Sequence, residues 1–316
     1  MYFLSLYAIF KNEGHIMKEW IMHYIEEGVE HFYLIDNGST DSYKSQIEEF
    51  KDKITIFVDP TPHKQLELYN KYILPELKNT HWIIGCDLDE FIWSKEGTIA
   101  DVLKSANDDV GLVILPWEMY GSSGHIEQPK HVVPNFKKRL NYDNPVDGSF
   151  RCTKCIGRSN AINELHVHMY SIKPEYKSVD GNLNYTDYYD FDSMSEDKLK
   201  NYKIRCSHFP IQSYNWYTNV KAKRGDVAVK DWNNIRDDSY FNKYDKNEVH
   251  DDGLYQKHKL LYHNLDKGEM NAEVKEDFVA PWTPEQYMHL SNKKINSLTL
   301  LFSIFLLLII FFLLFC

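Results

Sequence analysis

The chain has 316 residues, 43% of them apolar and 26% charged, enough for one large domain or two small ones around a substantial core. Its formal net charge of −10 repels phosphate backbones and argues against nucleic acid as a partner, leaving room only for a local basic site such as one for a diphosphate. Five scattered cysteines, Cys86, Cys152, Cys155, Cys206 and Cys316, make no disulfide framework and read as reduced thiols facing the cytosol.

In chain order, Tyr2 to Phe10 reads as a core strand, since the opening apolar run lacks the basic start and small-residue cleavage site of a signal peptide. Met17, Trp20, Ile21, Tyr24 and Ile25 recur at helical spacing over 16–27, with Gly28 placed to cap the helix. His31 to Ile35 is a short strand running into the turn Asp36-Asn37-Gly38-Ser39. A helix follows over 42–50, a strand over 54–58, a helix over 65–77 and a strand over 82–86 that ends at Asp87. Strands alternating with helices predict an α/β fold with a mostly parallel sheet, whose ligands sit at the carboxyl ends of the strands. Asn12 and Glu13, Asp36 and Asn37, and Asp87 and Asp89 all fall just after strands.

The pattern loosens after Pro116, with loops expected over 121–124, 141–149 and 185–195. Residues 1–290 are read as one domain in two halves, 1–116 and 117–290, followed by a polar linker over 291–297. Residues 298–316, LTLLFSIFLLLIIFFLLFC, are uncharged and apolar on every face. As a helix they span roughly 28 Å, close to a bilayer core. Lys293 and Lys294 precede this stretch, so the expectation is a single C-terminal membrane anchor with the body on the cytosolic side.

The strongest local motif is Asp87-Leu88-Asp89-Glu90 at the end of an apolar strand. Paired carboxylates there can hold a hard divalent cation, Mn²⁺ or Mg²⁺, that bridges a nucleotide diphosphate. Asp36 is placed to accept from a uracil N–H or a ribose hydroxyl, although Asp, Asn, Gly and Ser are also ordinary turn residues. Lys221, Lys223, Arg224 and Lys230 form a basic cluster in an acidic chain, suited to a diphosphate or to a solvated helix face. Cys152 and Cys155 with His166 and His168 come near a zinc-site spacing without matching it.

Lys11-Asn12-Glu13, Glu19-Trp20, His23-Tyr24, Gly28-Val29, Phe32-Tyr33 and Asp36 to Asp41 closely resemble the opening of the family 92 glycosyltransferases. Gln65, Asn70, the 82–91 stretch, Pro116-Trp117, Gly121 to His125, Lys154, His166-Val167-His168, Ser207-His208-Phe209 and Lys223-Arg224-Gly225 continue the likeness to about Asp226. The resemblance implies a GT-A fold, with 1–116 as its nucleotide-sugar-binding half and 117–290 as its acceptor-binding and closing half, and inverting, metal-dependent transfer from a nucleotide sugar, UDP-linked, to a glycan acceptor. It implies donor contacts from Asn12, Glu13, Asp36, Asn37, Gln65, Asp87, Lys223 and Arg224, and metal ligands among Asp87, Asp89, His208 and His168. An inverting transfer needs a carboxylate base at the acceptor hydroxyl; Glu118, Asp147 and Asp226 are candidates, and Asp89 completes the catalytic set. Where the family usually has an aromatic pair before Gly121, this chain has Met119-Tyr120 after an unusual Glu118, and the anchor lies at the end opposite to that of animal and plant members. Two other readings stay open: nucleotidyl transfer on a similar sheet, and a membrane-tethered binding protein on a degenerate fold.

Overall fold

The first strand, β1 (Tyr2–Phe10), is apolar at nearly every position because both of its faces are covered. Leu4, Leu6, Ala8 and Phe10 pack with Ile16, Met17, Trp20 and Tyr24 of α1 (Gly14–Glu26), while Tyr7 and Ile9 join a second cluster with Tyr69 and Ile83. The computed structural model describes residues 1–144, 148–187, 194–225 and 236–272. Residues 1–266 form one compact unit. The expected linker and membrane span lie outside the described residues, as do Asp147 and Asp226. Among the described residues no helix is long and apolar enough to cross a membrane.

The remaining strands are β2 (His31–Asp36), β3 (Ile54–Val58), β4 (Thr80–Gly85), β5 (Glu90–Ser94), β6 (Val110–Met119), β7 (Lys138–Arg139), β8 (Thr153–Arg158), β9 (Ile162–Glu164), β10 (Ser171–Ile172), β11 (Lys177–Val179), β12 (Ile204–His208) and β13 (Val249–His250). The main sheet runs β3-β2-β1-β4-β8-β6-β12-β5, with β11 beside β6; β9 pairs β10 and β7 pairs β13 in two small sheets. The expected α/β class holds, but the sheet is mixed. β1 to β4 are mutually parallel, and β6 is parallel to β12, yet β8 runs antiparallel between β4 and β6, and β5 antiparallel to β12. Hydrophobic spacing carries no strand direction, and β8 (TKCIGR) has little apolar pattern to announce it. The sheet continues through residue 116 without a break, because β6 spans it.

The helix expected over 65–77 is instead a short α-turn (Gln65–Leu68), a π-turn (Tyr69–Ile73) and a 3₁₀ segment (Leu74–Asn79). Pro75 lacks an N–H and breaks the regular ladder, and the Asn70 side chain donates to Leu66 O at 2.9 Å. The helix expected over 42–50 likewise passes from α2 (Tyr43–Ile47) into a 3₁₀ segment. Because β4 and β6 share a direction across the intervening antiparallel β8, the carboxyl ends of β1, β2, β4, β6 and β12 all emerge on one edge.

Candidate active site

The acidic motif is delivered by β4 and fixed by α1. A Cβ at Gly85 would lie 2.4 Å from the Tyr7 hydroxyl and 2.5 Å from that of Tyr170, so only glycine lets the strand end pass. The chain then turns sharply: Glu90 N donates to Asp87 O at 3.0 Å and Asp87 N to Glu90 Oε2 at 2.8 Å. From α1, Trp20 Nε1 reaches the carbonyls of Asp87 and Glu90, and the Tyr24 hydroxyl donates to Glu90 O and accepts from Ile92 N. Trp20 and Tyr24 are four apart and so share one helix face, which clamps the turn from below.

β12 brings the late histidine to this turn. In the antiparallel register of β12 and β5, His208 stands opposite Glu90, and Phe209 N donates to Asp89 O at 2.8 Å. Asp89, Glu90 and His208 each present a ligand-type atom within 4.8 Å of the others, the only such group of three or more among the described residues. All three are buried. Glu90 Oε1 and His208 Nδ1 have no hydrogen-bond partner within the protein, which leaves both able to bind water or a ligand. Burial pushes the Asp89 carboxyl up, but Lys221 and His208 outweigh it and hold the group well below its ordinary value. Burial lowers His208, which keeps its imidazole neutral and able to offer a lone pair. The indole of Trp117 lies against the His208 ring, with centroids 4.2 Å apart.

Two lysines attend these carboxylates. Lys221 Nζ donates to Asp89 Oδ2 at 2.7 Å. Lys154 Nζ donates to Asp87 Oδ2 at 2.9 Å and lies 3.2 Å from Glu90 Oε2. Above them opens a cleft of about 430 Å³ lined, among others, by Asn37, Gln65, Asp87, Asp89, His168 and Arg224. Arg224 donates to Lys11 O and to Glu13 Oε1, both at 2.9 Å. Asn37 donates through Nδ2 to the carbonyls of Asp59 and Thr61 at 2.7 and 2.9 Å. Both amide hydrogens are thereby committed, so Oδ1 is left as an acceptor.

The other sequence candidates take different places. Asn12 does not line the cleft; its Oδ1 accepts from Thr40 N at 2.7 Å and its N–H donates to Ser39 Oγ, tying together the loops after β1 and β2. Asp36 sits behind Asn37, accepting from Ser39 N at 2.7 Å and from the Tyr43 hydroxyl at 3.0 Å. Gln65 bonds Tyr69. His168 lines the cleft, with Nδ1 3.2 Å from Thr153 O, but stands outside the Asp89–Glu90–His208 group. Lys223 is exposed and donates to Asn219. Glu118 points away from the cleft. Its neighbours on β6, Trp117 and Met119, line the cleft, so the strand's two-residue period turns Glu118 to the other face, where Arg205 grips it through two nitrogens, one at 2.9 Å. Cys155 is packed among apolar residues and His166 pairs with Glu164, so the zinc-like spacing gathers no ligand set among the described residues. Sequence reasoning missed Glu90 as a third ligand-type group and Lys154 and Lys221 as carboxylate partners. The run Asp87-Leu-Asp-Glu90 hinted at the first; only the β5–β12 register shows why Glu90 turns inward.

The sequence model of glycosyltransferase family 92 matches residues 6–242, three quarters of the chain. The chain belongs to glycosyltransferase family 92. A family 92 protein of Oryza sativa subsp. japonica is 24% identical over 182 residues, covering 54% of this chain and 30% of its own length. One of Ricinus communis is 27% identical over 128 residues, covering 38% of this chain and 23% of its own length. The family 92 chain therefore aligns with under a third of either curated relative. Among solved structures, S. aureus TarS 1–349 aligns over 77% of this chain and 70% of its own at 13% identity and a TM-score of 0.31. The glucosyl-3-phosphoglycerate synthase of Mycobacterium tuberculosis, solved with Mn²⁺ and UDP-glucose, aligns over 37% of this chain and 44% of its own at 13% identity and a TM-score of 0.22. Scores this low carry no argument about the family 92 chain.

Proposed function

We propose that this family 92 chain transfers a sugar from a nucleotide-sugar donor, UDP-linked, to a hydroxyl of a glycan acceptor, with inversion, on a sheet of the GT-A type. The observation that carries the reading is the meeting of Asp89, His208, Lys221 and Arg224 in one cleft at the carboxyl edge of the sheet, with Glu90 buried beside Asp89 and His208. Two carboxylates and an imidazole with unpartnered buried atoms fit a divalent cation, and the imidazole favours Mn²⁺ over Mg²⁺. When bound, such a cation supplies positive charge to the departing diphosphate.

The chain's own residues do the rest. Trp20 and Tyr24 hold the acidic turn rigid, Lys154 orients Asp87, and Arg224 places cationic charge at the cleft wall. Asn37 offers its Oδ1 to a donor N–H or hydroxyl of the nucleoside. For the acceptor's base, Glu118 is committed to Arg205, which leaves Asp147 and Asp226 as the candidates. The tail over 298–316 tethers the enzyme to a membrane with its body in the cytosol, a reading supported by that segment's length and lack of charge; protease digestion of the body in intact membranes tests it.

The central test is a screen of nucleotide sugars with the full chain in detergent, with and without EDTA. The expected result is release of a nucleoside diphosphate that EDTA abolishes and Mn²⁺ restores. Release of pyrophosphate from nucleoside triphosphates would instead establish nucleotidyl transfer. No turnover at all, with nucleotide still bound, would point to a binding protein.

A further inference from the structure

Every carboxylate at the floor of the cleft already has a cation beside it. Lys221 answers Asp89 at 2.7 Å, Lys154 answers Asp87 at 2.9 Å, and Arg224 answers Glu13 at 2.9 Å. Arg236 also lines the cleft. The floor is thus close to electroneutral by itself. A divalent cation entering alone adds charge to a buried site that holds its own cations. A diphosphate entering alone adds charge beside three carboxylates. Entering together, the two nearly cancel, and in a poorly solvated site that balance weighs heavily.

The two lysines are not equivalent. Lys154 belongs to β8 in the middle of the sheet and also donates to Val167 O at 3.2 Å. Lys221 closes a π-turn (Tyr217–Lys221) between the short helical pieces Tyr214–Trp216 and Ala222–Arg224, and its hydrogen bond among the described residues is the one to Asp89. Single π-turns concentrate at functional sites, and a lysine's four-carbon stem lets its ammonium swing without moving the backbone. We infer that Lys221 is a resident counter-ion of Asp89 that makes cation binding conditional on the diphosphate. Its ammonium leaves Asp89 as the cation arrives and turns to the diphosphate oxygens. Metal and nucleotide then bind as a coupled pair. The inference rests on the nucleotide-sugar reading above and concerns binding alone; no covalent bond changes.

The test titrates the full chain with Mn²⁺, following the electron paramagnetic resonance signal of free Mn²⁺, with and without saturating UDP, in wild type, Lys221→Met and Lys221→Arg. Wild type should bind Mn²⁺ alone weakly and about tenfold or more tightly with UDP, within the usual range of coupling between sites. Lys221→Met should bind Mn²⁺ alone about tenfold more tightly than wild type and show little further gain with UDP. Lys221→Arg should keep the wild-type coupling, which a merely structural role for Lys221 would not predict of the pair. Equal Mn²⁺ affinities in wild type and Lys221→Met without UDP, with UDP-dependent binding intact, would overturn the counter-ion role and leave the nucleotide-sugar reading standing. Absence of any UDP effect on wild-type Mn²⁺ affinity overturns it whether or not Lys221→Met folds. No Mn²⁺ binding by any variant, even with UDP, removes the metal reading as well.

Discussion

Two buried charge networks lie on opposite sides of β6, and they are built on different terms. Behind the strand, Glu118, Arg205, Asp251, Arg139 and Glu196 close on one another. Arg139 forks onto Glu196 with two bonds of 2.7 Å and reaches Asp251 at 2.9 Å, while Arg205 bridges Glu118 and Asp251. None of these five residues lines the cleft. In front of the strand, the Asp87–Asp89–Glu90 group is paired with Lys154 and Lys221 but leaves Glu90 Oε1 and His208 Nδ1 without partners. Charge alone therefore does not mark a site. The first network is closed and so fixes the fold; the second is incomplete and opens onto a cleft, which is where a ligand is needed.

The largest expected difference is in activity. Asp89→Asn should lower transfer by about a hundredfold or more, since it removes charge from the proposed cation site, while the chain stays folded by circular dichroism. Glu118→Gln should behave in the opposite way. It leaves Arg205 with one buried carboxylate, Asp251, in place of two, at a cost of about 3 kcal/mol in urea unfolding, yet kcat of the folded enzyme should hold within about twofold. Full activity in Asp89→Asn, or lost kcat in a well-folded Glu118→Gln, would erase the distinction between the networks.

The same contrast shows what the sequence made legible. β1 to β4 and the polar residues after them were readable because a parallel half-sheet repeats one pattern, apolar strand then turn then helix, and its carboxyl ends carry Asn12, Asp36 and Asp87. Antiparallel β8 and β5 were not, because short strands of mixed composition give no periodic signal. With them went the closed network: Glu118 and Arg205 are 87 residues apart and meet only through the pairing of β6 with β12. Lys154 and Lys221 were visible as basic residues, but nothing local could say that each would be folded onto a carboxylate. Conversely, Asp36 stood out in a turn motif that suits either a ligand or the turn itself, and its neighbours in space, Ser39 and Tyr43, show that it serves the turn.

The two networks should also respond to pH with opposite sign. Burial pushes the Glu90 carboxyl up, to about 8, with Lys154 pulling against it. Between an unfolded value of 4.5 and about 8, the folded state keeps a proton that the unfolded state has lost, so Glu90's contribution is greatest below pH 4.5 and is lost as pH rises through 8. Burial also pushes Asp251 up, but Arg205 and Arg139 overcome it and hold the group down at about 2. Its contribution is present above 3.8 and is lost as pH falls toward 2. Glu90→Gln should therefore gain on wild type from pH 5 to pH 8, by at most about 1.4 kcal/mol per pH unit. The deficit of Asp251→Asn should stay level over that range and shrink below pH 4. Unfolding curves at four pH values check both, and parallel pH profiles for the two variants would mean that the networks do not differ in how they hold charge.

Asp36 is the case that sharpens the comparison most, because it is a fully bonded carboxylate placed next to the cleft. Its two oxygens accept from Ser39 N and the Tyr43 hydroxyl, and Asn37, not Asp36, lines the cleft. By the rule drawn from the networks, Asp36 holds the 37–41 loop in place, and Asn37 acts on the ligand. Asp36→Ala should then loosen the loop that presents Asn37 Oδ1, weakening ground-state and transition-state binding of the nucleoside about equally. The expected outcome is a donor KM raised about fivefold with kcat changed less than about twofold. Asn37→Ala should reproduce that pattern, and the double variant should be little worse than either single one, because both act through the same contact. A fall in kcat at unchanged KM in Asp36→Ala would place this carboxylate at the reacting centre, and a complete set of hydrogen bonds would no longer separate structural from functional acids in this chain.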